Sequence, residues 1–143
     1  MNAEDTNVAV VRRFLDEIVN GGKTELLGDL WADDMTWNGG SMGTLHGIDE
    51  FKAFNAANSG GAWENMHLAV EEIIAQGDKV VVRFTNSGKN VGAFMGSPAT
   101  GKTATWLGIA IYTVVDGKIT EGWFGEDILG MFLQLGVVTL PTP

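Results

Sequence analysis

The sequence predicts an α+β fold in which a curved antiparallel sheet wraps over N-terminal helices. In the first third of the chain, apolar residues recur at helical spacing. From Leu68 onward, they alternate with polar residues as they do in strands. The chain has 143 residues, of which 45% are hydrophobic and 19% are charged, so we expect a single globular domain over residues 1–143.

Three helices are predicted before the long strands. The first carries an apolar face that includes Phe14, begins at a cap supplied by Asp5 or Thr6, and ends before Asn20-Gly21-Gly22. A short second helix covers residues 24–31. A third begins near Ile48 and has acidic residues in its first turn, where the helix dipole favours them.

The remaining elements are mostly strands. A short strand is predicted at residues 35–38, and longer ones follow at 68–76, 79–86, 102–115 and Lys118–Glu126. Asp116-Gly117 is typical of a two-residue hairpin turn. Residues 87–101 are expected to form a glycine-rich loop, and Ile128–Leu135 a last short helix that Gly136 ends.

The strand predicted at 102–115 is apolar on both faces. One face carries Trp106, Ala110 and Tyr112, and the other carries Leu107, Ile109 and Ile111. A strand of this kind needs a cover on each side. The helices supply one cover, and we expect a second subunit to supply the other, in a homodimer or homotetramer.

Charge and composition exclude several classes of partner. Nine basic residues against eighteen acidic ones cannot neutralise a phosphate backbone, so we expect neither nucleic acid nor a membrane surface as a partner. No apolar run approaches the roughly 18 residues of a membrane span, and the acidic N-terminus is unlike a signal peptide. We therefore expect a cytoplasmic protein. Cysteine is absent, and His46 and His67 lack a metal-ligand spacing, so no metal site is expected.

Two glycine-rich stretches match catalytic motifs by letter only. Residues 96–103 fit the phosphate-binding loop pattern, but the residues that follow them predict a strand where that loop needs a helix. Residues 39–43 fit a nucleophile elbow, but a loop follows instead of a helix. We therefore expect plain turns at both places, and no nucleotide binding.

Asp127 is the candidate catalytic carboxylate, because of its position between a predicted strand and a predicted helix. It follows a strand that is predicted to be buried and precedes an apolar helix. Burial among Trp123, Ile128 and Met131 would raise its pKa toward a range that is useful for acid–base catalysis. The alternative is that Asp127 is the helix N-cap, a position that Asp favours. One residue can fill both roles.

An ordered series of short segments resembles the SnoaL-like polyketide cyclases of the nuclear-transport-factor-2-like superfamily. The segments span about 130 residues in the order of the family. They are Val10-Val11-Arg12-Arg13-Phe14, Trp31-Ala32-Asp33-Asp34, Gly77-Asp78-Lys79-Val80 with Arg83, Gly92-Ala93-Phe94-Met95-Gly96 with Thr100-Gly101, and residues 116–136. The resemblance implies a cone-shaped α+β barrel with a deep apolar pocket.

The resemblance also implies a function, namely cofactor-independent intramolecular aldol cyclisation of an aromatic polyketide ester. Asp127 falls on the catalytic acid/base of the family. A flat, apolar substrate needs aromatic and methionine walls. The candidates for these walls, each of which can instead be a core residue, are Phe14, Trp37, Met95, Trp106, Tyr112, Trp123 and Met131. Arg83 is either a carbonyl anchor in the pocket or a solvated strand residue.

Departures from the family pattern keep other functions open. Asn90, a further substrate-binding candidate, stands where the family often has His, Thr113 stands where an Arg is common, and Ala99 replaces a usual Pro. Epoxide hydrolysis on this fold implies an Arg-x-Asp pair, whereas this chain has Arg83-Phe84-Thr85. Polyketide hydroxylation and binding without catalysis are further alternatives.

Overall fold

The first part of the chain is mostly helical, and four long strands and a short helix follow. A computed structural model describes residues 2–58 and 61–142. The helices are α1 (Ala3–Arg13), which continues as a π-helix (Phe14–Asn20), α2 (Leu27–Leu30), α3 (Ile48–Asn58) and α4 (Ile128–Leu135). Short 3-10 turns occupy Thr24–Leu26 and Gly40–Met42. The strands are β1 (Trp31–Asn38), β2 (Thr44–His46), β3 (Trp63–Gln76), β4 (Lys79–Asn90), β5 (Thr103–Val115) and β6 (Lys118–Glu126).

The strands form one sheet in the order β2-β1-β6-β5-β4-β3. The neighbouring strands are antiparallel except β1 and β6, which run parallel. The predicted α+β class is confirmed, with this parallel pair as the difference from an all-antiparallel sheet. β1 comes before the long hairpins in the sequence, but in the sheet it lies beside β6, the last strand, and runs in the same direction.

The first helix starts earlier than predicted and changes its winding midway. Asn2 is the N-cap, and its Oδ1 accepts a hydrogen bond from the backbone N–H of Asp5 at 2.8 Å, so Asp5 lies inside the first turn. After Arg13 the helix widens to the π form, and it ends at Gly21, where a Cβ would collide with the carbonyl oxygen of Glu17. Single-turn π segments are often found near functional sites.

Several predicted boundaries move in the structure. Trp31 starts β1 rather than ending the second helix, and β3 begins at Trp63 instead of residue 68. β4 extends through residues 87–90 because Trp63 pairs with Asn90 on one side and Thr103 pairs with Lys89 on the other. Among the described residues, no helix combines the length and apolar character needed to cross a membrane.

Both glycine-rich motifs lie in turns. The residues after the phosphate-loop match form β5 from Thr103 onward, as the sequence predicts. A helix N-terminus therefore does not follow this loop to bind phosphate. The elbow match contains the 3-10 turn Gly40–Met42 and leads into the strand Thr44–His46, so the exposed nucleophile geometry of hydrolases is absent there.

The two faces of β5 differ as predicted. Trp106, Ala110 and Tyr112 are buried toward the helices. Leu107, Ile109 and Ile111 lie on the outer face and are each between 43% and 50% exposed. Neighbouring apolar side chains exposed on one sheet face are typical of an interaction surface.

We predict that this outer face joins copies of the chain in solution. Light scattering at micromolar concentration should report a dimer or a tetramer of the 15.3 kDa chain. Ile109→Lys places a charge in the middle of the apolar face, so we expect it to shift the protein toward the monomer. A parent protein that scatters only as the monomer would contradict this prediction.

Candidate active site

A cavity of about 640 Å³ opens between the end of the π-helix and the inner face of the sheet. Its walls come from both apolar clusters of the molecule, with Ile18 and Trp37 from the larger one and Trp106 and Met131 from the smaller one. The aromatic residues of the lining are Trp37, Phe54, Trp63, Phe94 and Trp106. Such a cavity suits a flat apolar ligand with few polar anchors.

Glu126 is the one charged residue among the described residues that line the cavity. It is the last residue of β6 and is partly buried. Its Oε1 accepts hydrogen bonds from Asn86 Nδ2 at 2.7 Å and from Trp106 Nε1 at 3.0 Å. Within the described chain, Oε2 accepts none. The cavity therefore contains a carboxylate with one oxygen held by the protein and one left for a ligand.

The register of the sheet brings these three residues together. Asn86 on β4 and Trp106 on β5 are direct cross-strand partners, and both point to the inner face. Glu126 pairs with Gly108, two residues further along β5. The Phe84 ring covers Gly108, and any Cβ at this position would collide with that ring. The glycine therefore leaves room for the Phe84 ring to pack over the position that pairs with Glu126.

Tyr112 is the second titratable group near Glu126. Burial raises the pKa of the Tyr112 phenol far above its ordinary value, and the negative charge of Glu126 raises it further. The phenol is therefore neutral at physiological pH. Its ring packs edge-on against Phe124 and Phe14 within the larger core cluster, and Tyr112 is not part of the cavity lining.

The predicted burial of Asp127 is wrong. Its side chain is exposed and caps α4, where Oδ1 accepts a hydrogen bond from the backbone N–H of Gly130 at 2.8 Å. A register shift between β5 and β6 explains the error. Thr113 pairs with Glu121 but Val114 pairs with Ile119, so one extra residue of β6 lies between them. Such a bulge moves every later side chain to the opposite face.

Capping is the structural role of Asp127, and turnover of Asp127→Asn tests the catalytic role that the sequence predicts. Asp127→Ala should lower the free energy of unfolding by about 0.5–2 kcal/mol, because the cap bond is lost. Asp127→Asn should change it by only a few tenths, since Asn caps as well as Asp does. Urea unfolding measures both differences. Equal losses for the two variants would contradict a role in capping.

Trp37, Trp106 and Met131 are the predicted wall residues that line the cavity. Phe14 and Tyr112 belong to the larger core cluster. For these two residues, the alternative of core packing is the one that the structure shows. Phe14 packs edge-on against Trp31, with ring centroids 5.2 Å apart. It is therefore a core residue and does not line the cavity.

The structure does not place the other four predicted binding residues in the cavity lining. Arg83 is exposed on the outer face, 3.5 Å from Glu72 Oε1, and Trp123 is 55% exposed with its Nε1 donating to Glu121. Met95 is 45% exposed in the loop after β4. Asn90 is buried, but it holds that loop by donating to Ala62 and Gly92 carbonyls and accepting from Thr100.

Sequence reasoning missed the polar centre of the cavity. Glu126 and Asn86 were not singled out, and neither were Trp63 and Phe94, whose rings pack against one another at the cavity wall. Strand alternation contains a signal for Asn86, because it shares the parity of the buried Val80, Val82 and Phe84 on β4. Glu126 lacks this signal, because the bulge in β6 changes which residues of the strand face inward.

Acidic and histidine side chains do not gather into a metal site. Within residues 2–58 and 61–142, no three His, Cys, Asp or Glu side chains are close enough together to hold an ion. His46 lies on β2 and His67 on β3, the two opposite edge strands of the sheet.

Comparisons with known proteins agree with this architecture. The sequence profile of the SnoaL-like polyketide cyclases matches residues 9–135. The chain is 30% identical to aklanonic acid methyl ester cyclase DnrD of Streptomyces peucetius, over 96% of this chain and 95% of that protein.

Solved structures show the same fold. TsrD of Streptomyces laurentii matches with a TM-score of 0.80 and 26% identity, over 96% of this chain and all of that one. A SnoaL-like protein from Jannaschia sp. CCS1 matches with a TM-score of 0.87 and 24% identity, over 97% of each chain. With a family profile that matches nearly the whole length, this chain belongs to the SnoaL-like polyketide cyclase family.

Proposed function

We propose that this protein closes a ring in a neutral aromatic polyketide ester by intramolecular aldol addition, with Glu126 as the acid/base. One observation carries the proposal. Glu126 is a single carboxylate in a cavity of aromatic and methionine side chains, and its Oε2 accepts no hydrogen bond from the described residues. Family membership and the DnrD relative, which is named as a cyclase of a methyl ester, support the same class of reaction.

The reaction needs one group that takes a proton and gives it back. The Glu126 carboxylate removes a proton from a carbon that neighbouring carbonyls make acidic, and the resulting carbanion attacks a ketone carbon of the same molecule. One carbon–carbon bond forms, and the C=O π bond becomes an alkoxide. Protonated Glu126 then delivers the proton to that alkoxide, which restores the carboxylate. Substrate and product are isomers, so the step consumes no oxidant, reductant or water.

The cavity favours an esterified substrate over a free acid. Lys, Arg and His are absent from the described lining, and Glu126 contributes a negative charge. A carboxylate on the ligand would be desolvated near a like charge without a cation to pair with. The methyl ester keeps the acidity of the adjacent carbon and removes that charge. The formal net charge of −9 on the whole chain adds to the repulsion of anions.

Incubating the purified protein with tricyclic and tetracyclic polyketide methyl esters, including aklanonic acid methyl ester, tests the proposal. We expect a product of unchanged mass with one ketone fewer and one new alcohol, formed without added metal or nucleotide. A gain of one oxygen would instead indicate hydroxylation, and a gain of one water would indicate hydrolysis. Binding without conversion of any ester would indicate a non-catalytic role. Each of these three results would overturn the proposal.

A further inference from the structure

We propose that Asn86 and Trp106 are positioning residues that hold Glu126 Oε1, so that Oε2 alone exchanges the proton with the substrate. The inference deepens the proposed function and rests on it for the identity of the reaction. The hydrogen bonds of Glu126 do not depend on which reaction the protein catalyses, so they can be tested without any substrate.

Both bonds have a fixed direction. The indole N–H of Trp106 can only donate, and a carboxylate oxygen can only accept. In the contact at 3.0 Å, Trp106 is therefore the donor and Glu126 Oε1 the acceptor. The same reasoning assigns the Asn86 amide nitrogen, and not its oxygen, to the contact at 2.7 Å. Trp106 is 4% exposed and Asn86 is 7% exposed, so water does not compete freely for either donor.

Two donors on one oxygen restrict the whole carboxyl group. A glutamate has three side-chain torsions, and an unrestrained one samples many orientations. Here the donors come from two neighbouring strands and converge on Oε1, which fixes the plane of the carboxyl group relative to the sheet. Hydrogen bonds to a charged acceptor are stronger than bonds between neutral groups, so we expect these two contacts to hold Glu126 firmly. Oε1 is thereby occupied, and Oε2 is left to exchange the proton.

The electrostatic surroundings of the carboxylate are simple. From β5, the neutral phenol of Tyr112 senses the charge of Glu126. Asp127 follows in the chain but is exposed and bonded to Gly130. From the π-helix, α3 and α4, the described lining contributes only uncharged side chains. The two donors are therefore the main influence of the protein on which oxygen reacts.

Kinetics of Trp106→Phe and Asn86→Leu give the first test. Each variant removes one donor and keeps a side chain of similar shape. We expect kcat to fall roughly tenfold or more in each, with KM changed less than about threefold, because small misplacements of a reacting group are costly. An unchanged kcat, or a loss confined to KM, would overturn the inference.

The second test uses nuclear magnetic resonance and no substrate. Protein labelled with ¹⁵N shows one indole N–H signal for each of its five tryptophans, and Trp106→Phe identifies the signal of Trp106. We expect the chemical shift of this signal to change in Glu126→Gln, because the acceptor of its hydrogen bond loses its negative charge. The signal of the exposed Trp123, which donates to Glu121, is the internal reference and should be unaffected by Glu126→Gln. A Trp106 signal that ignores Glu126→Gln would overturn the inference.

The two tests separate the possible failures. If no ester is converted, the proposed function fails, while the effect of Glu126→Gln on the Trp106 signal still shows whether the positioning contact exists. If Trp106→Phe does not fold, the kinetics of Asn86→Leu still show whether a donor to Glu126 Oε1 matters for turnover.

Discussion

Glu126→Gln is expected to lower turnover of the polyketide ester by roughly 10²–10⁴-fold while the protein stays folded. The size of the loss is that of a missing general acid/base. Gln keeps the shape of Glu, and its carbonyl oxygen can accept the same two hydrogen bonds from Asn86 and Trp106. It cannot take up a proton from carbon. Steady-state turnover, together with a thermal unfolding curve, measures the effect.

Asp127→Asn is the matched control, because it makes the same chemical change one residue further along the chain. We expect its turnover to stay within about threefold of the parent, since the Asp127 carboxylate is exposed and bonded to the Gly130 backbone. The opposite pattern, with an active Glu126→Gln and an inactive Asp127→Asn, would return the catalytic role to Asp127.

The methyl ester is expected to bind roughly a hundredfold more tightly than the corresponding free acid. A ligand carboxylate about 5 Å from Glu126 would be repelled by about 3 kcal/mol at an effective dielectric constant of about 20, which corresponds to a factor of roughly a hundred. No cation in the described lining offsets this repulsion. Titration followed by quenching of tryptophan fluorescence suits the measurement, because three tryptophans line the cavity.

The Glu126→Gln protein tests the origin of this selectivity. It removes the negative charge and keeps the volume, so we expect the ratio of ester to acid affinity to fall by at least tenfold. Equal affinities of the parent for the ester and the acid would show that the charge of Glu126 does not select the substrate.

The alternation of apolar residues along β5 was enough to predict its inner and outer faces. Trp106 and Tyr112 are buried, and Ile109 and Ile111 are exposed, because β4 and β6 pair with most of β5 without interruption. The hairpin at Asp116-Gly117 and the helix Ile128–Leu135 were also predictable, since turn chemistry and helix caps are local. Local rules thus account for most of the scaffold.

The polar centre of the site was not predictable in the same way. Ile119 is buried, and unbroken alternation from it places Trp123 and Asp127 on the inner face. The extra residue between Ile119 and Glu121 reverses the pattern, so that Gly122, Phe124 and Glu126 face inward instead. A bulge of one residue depends on pairing with another strand, and the β6 sequence alone does not reveal it. The predicted carboxylate was therefore one position away from the one in the cavity.

A crystal structure of Glu126→Gln with a polyketide methyl ester bound would show whether Glu126 meets the reacting carbon in the cavity. The variant should retain the ester because it still binds but does not turn over. We predict that the ester lies among Trp37, Trp63 and Trp106, with the carbon that loses its proton within about 3.5 Å of the side-chain end of residue 126. An ester bound against Asp127, or on the outer face of the sheet, would contradict a catalytic role of Glu126.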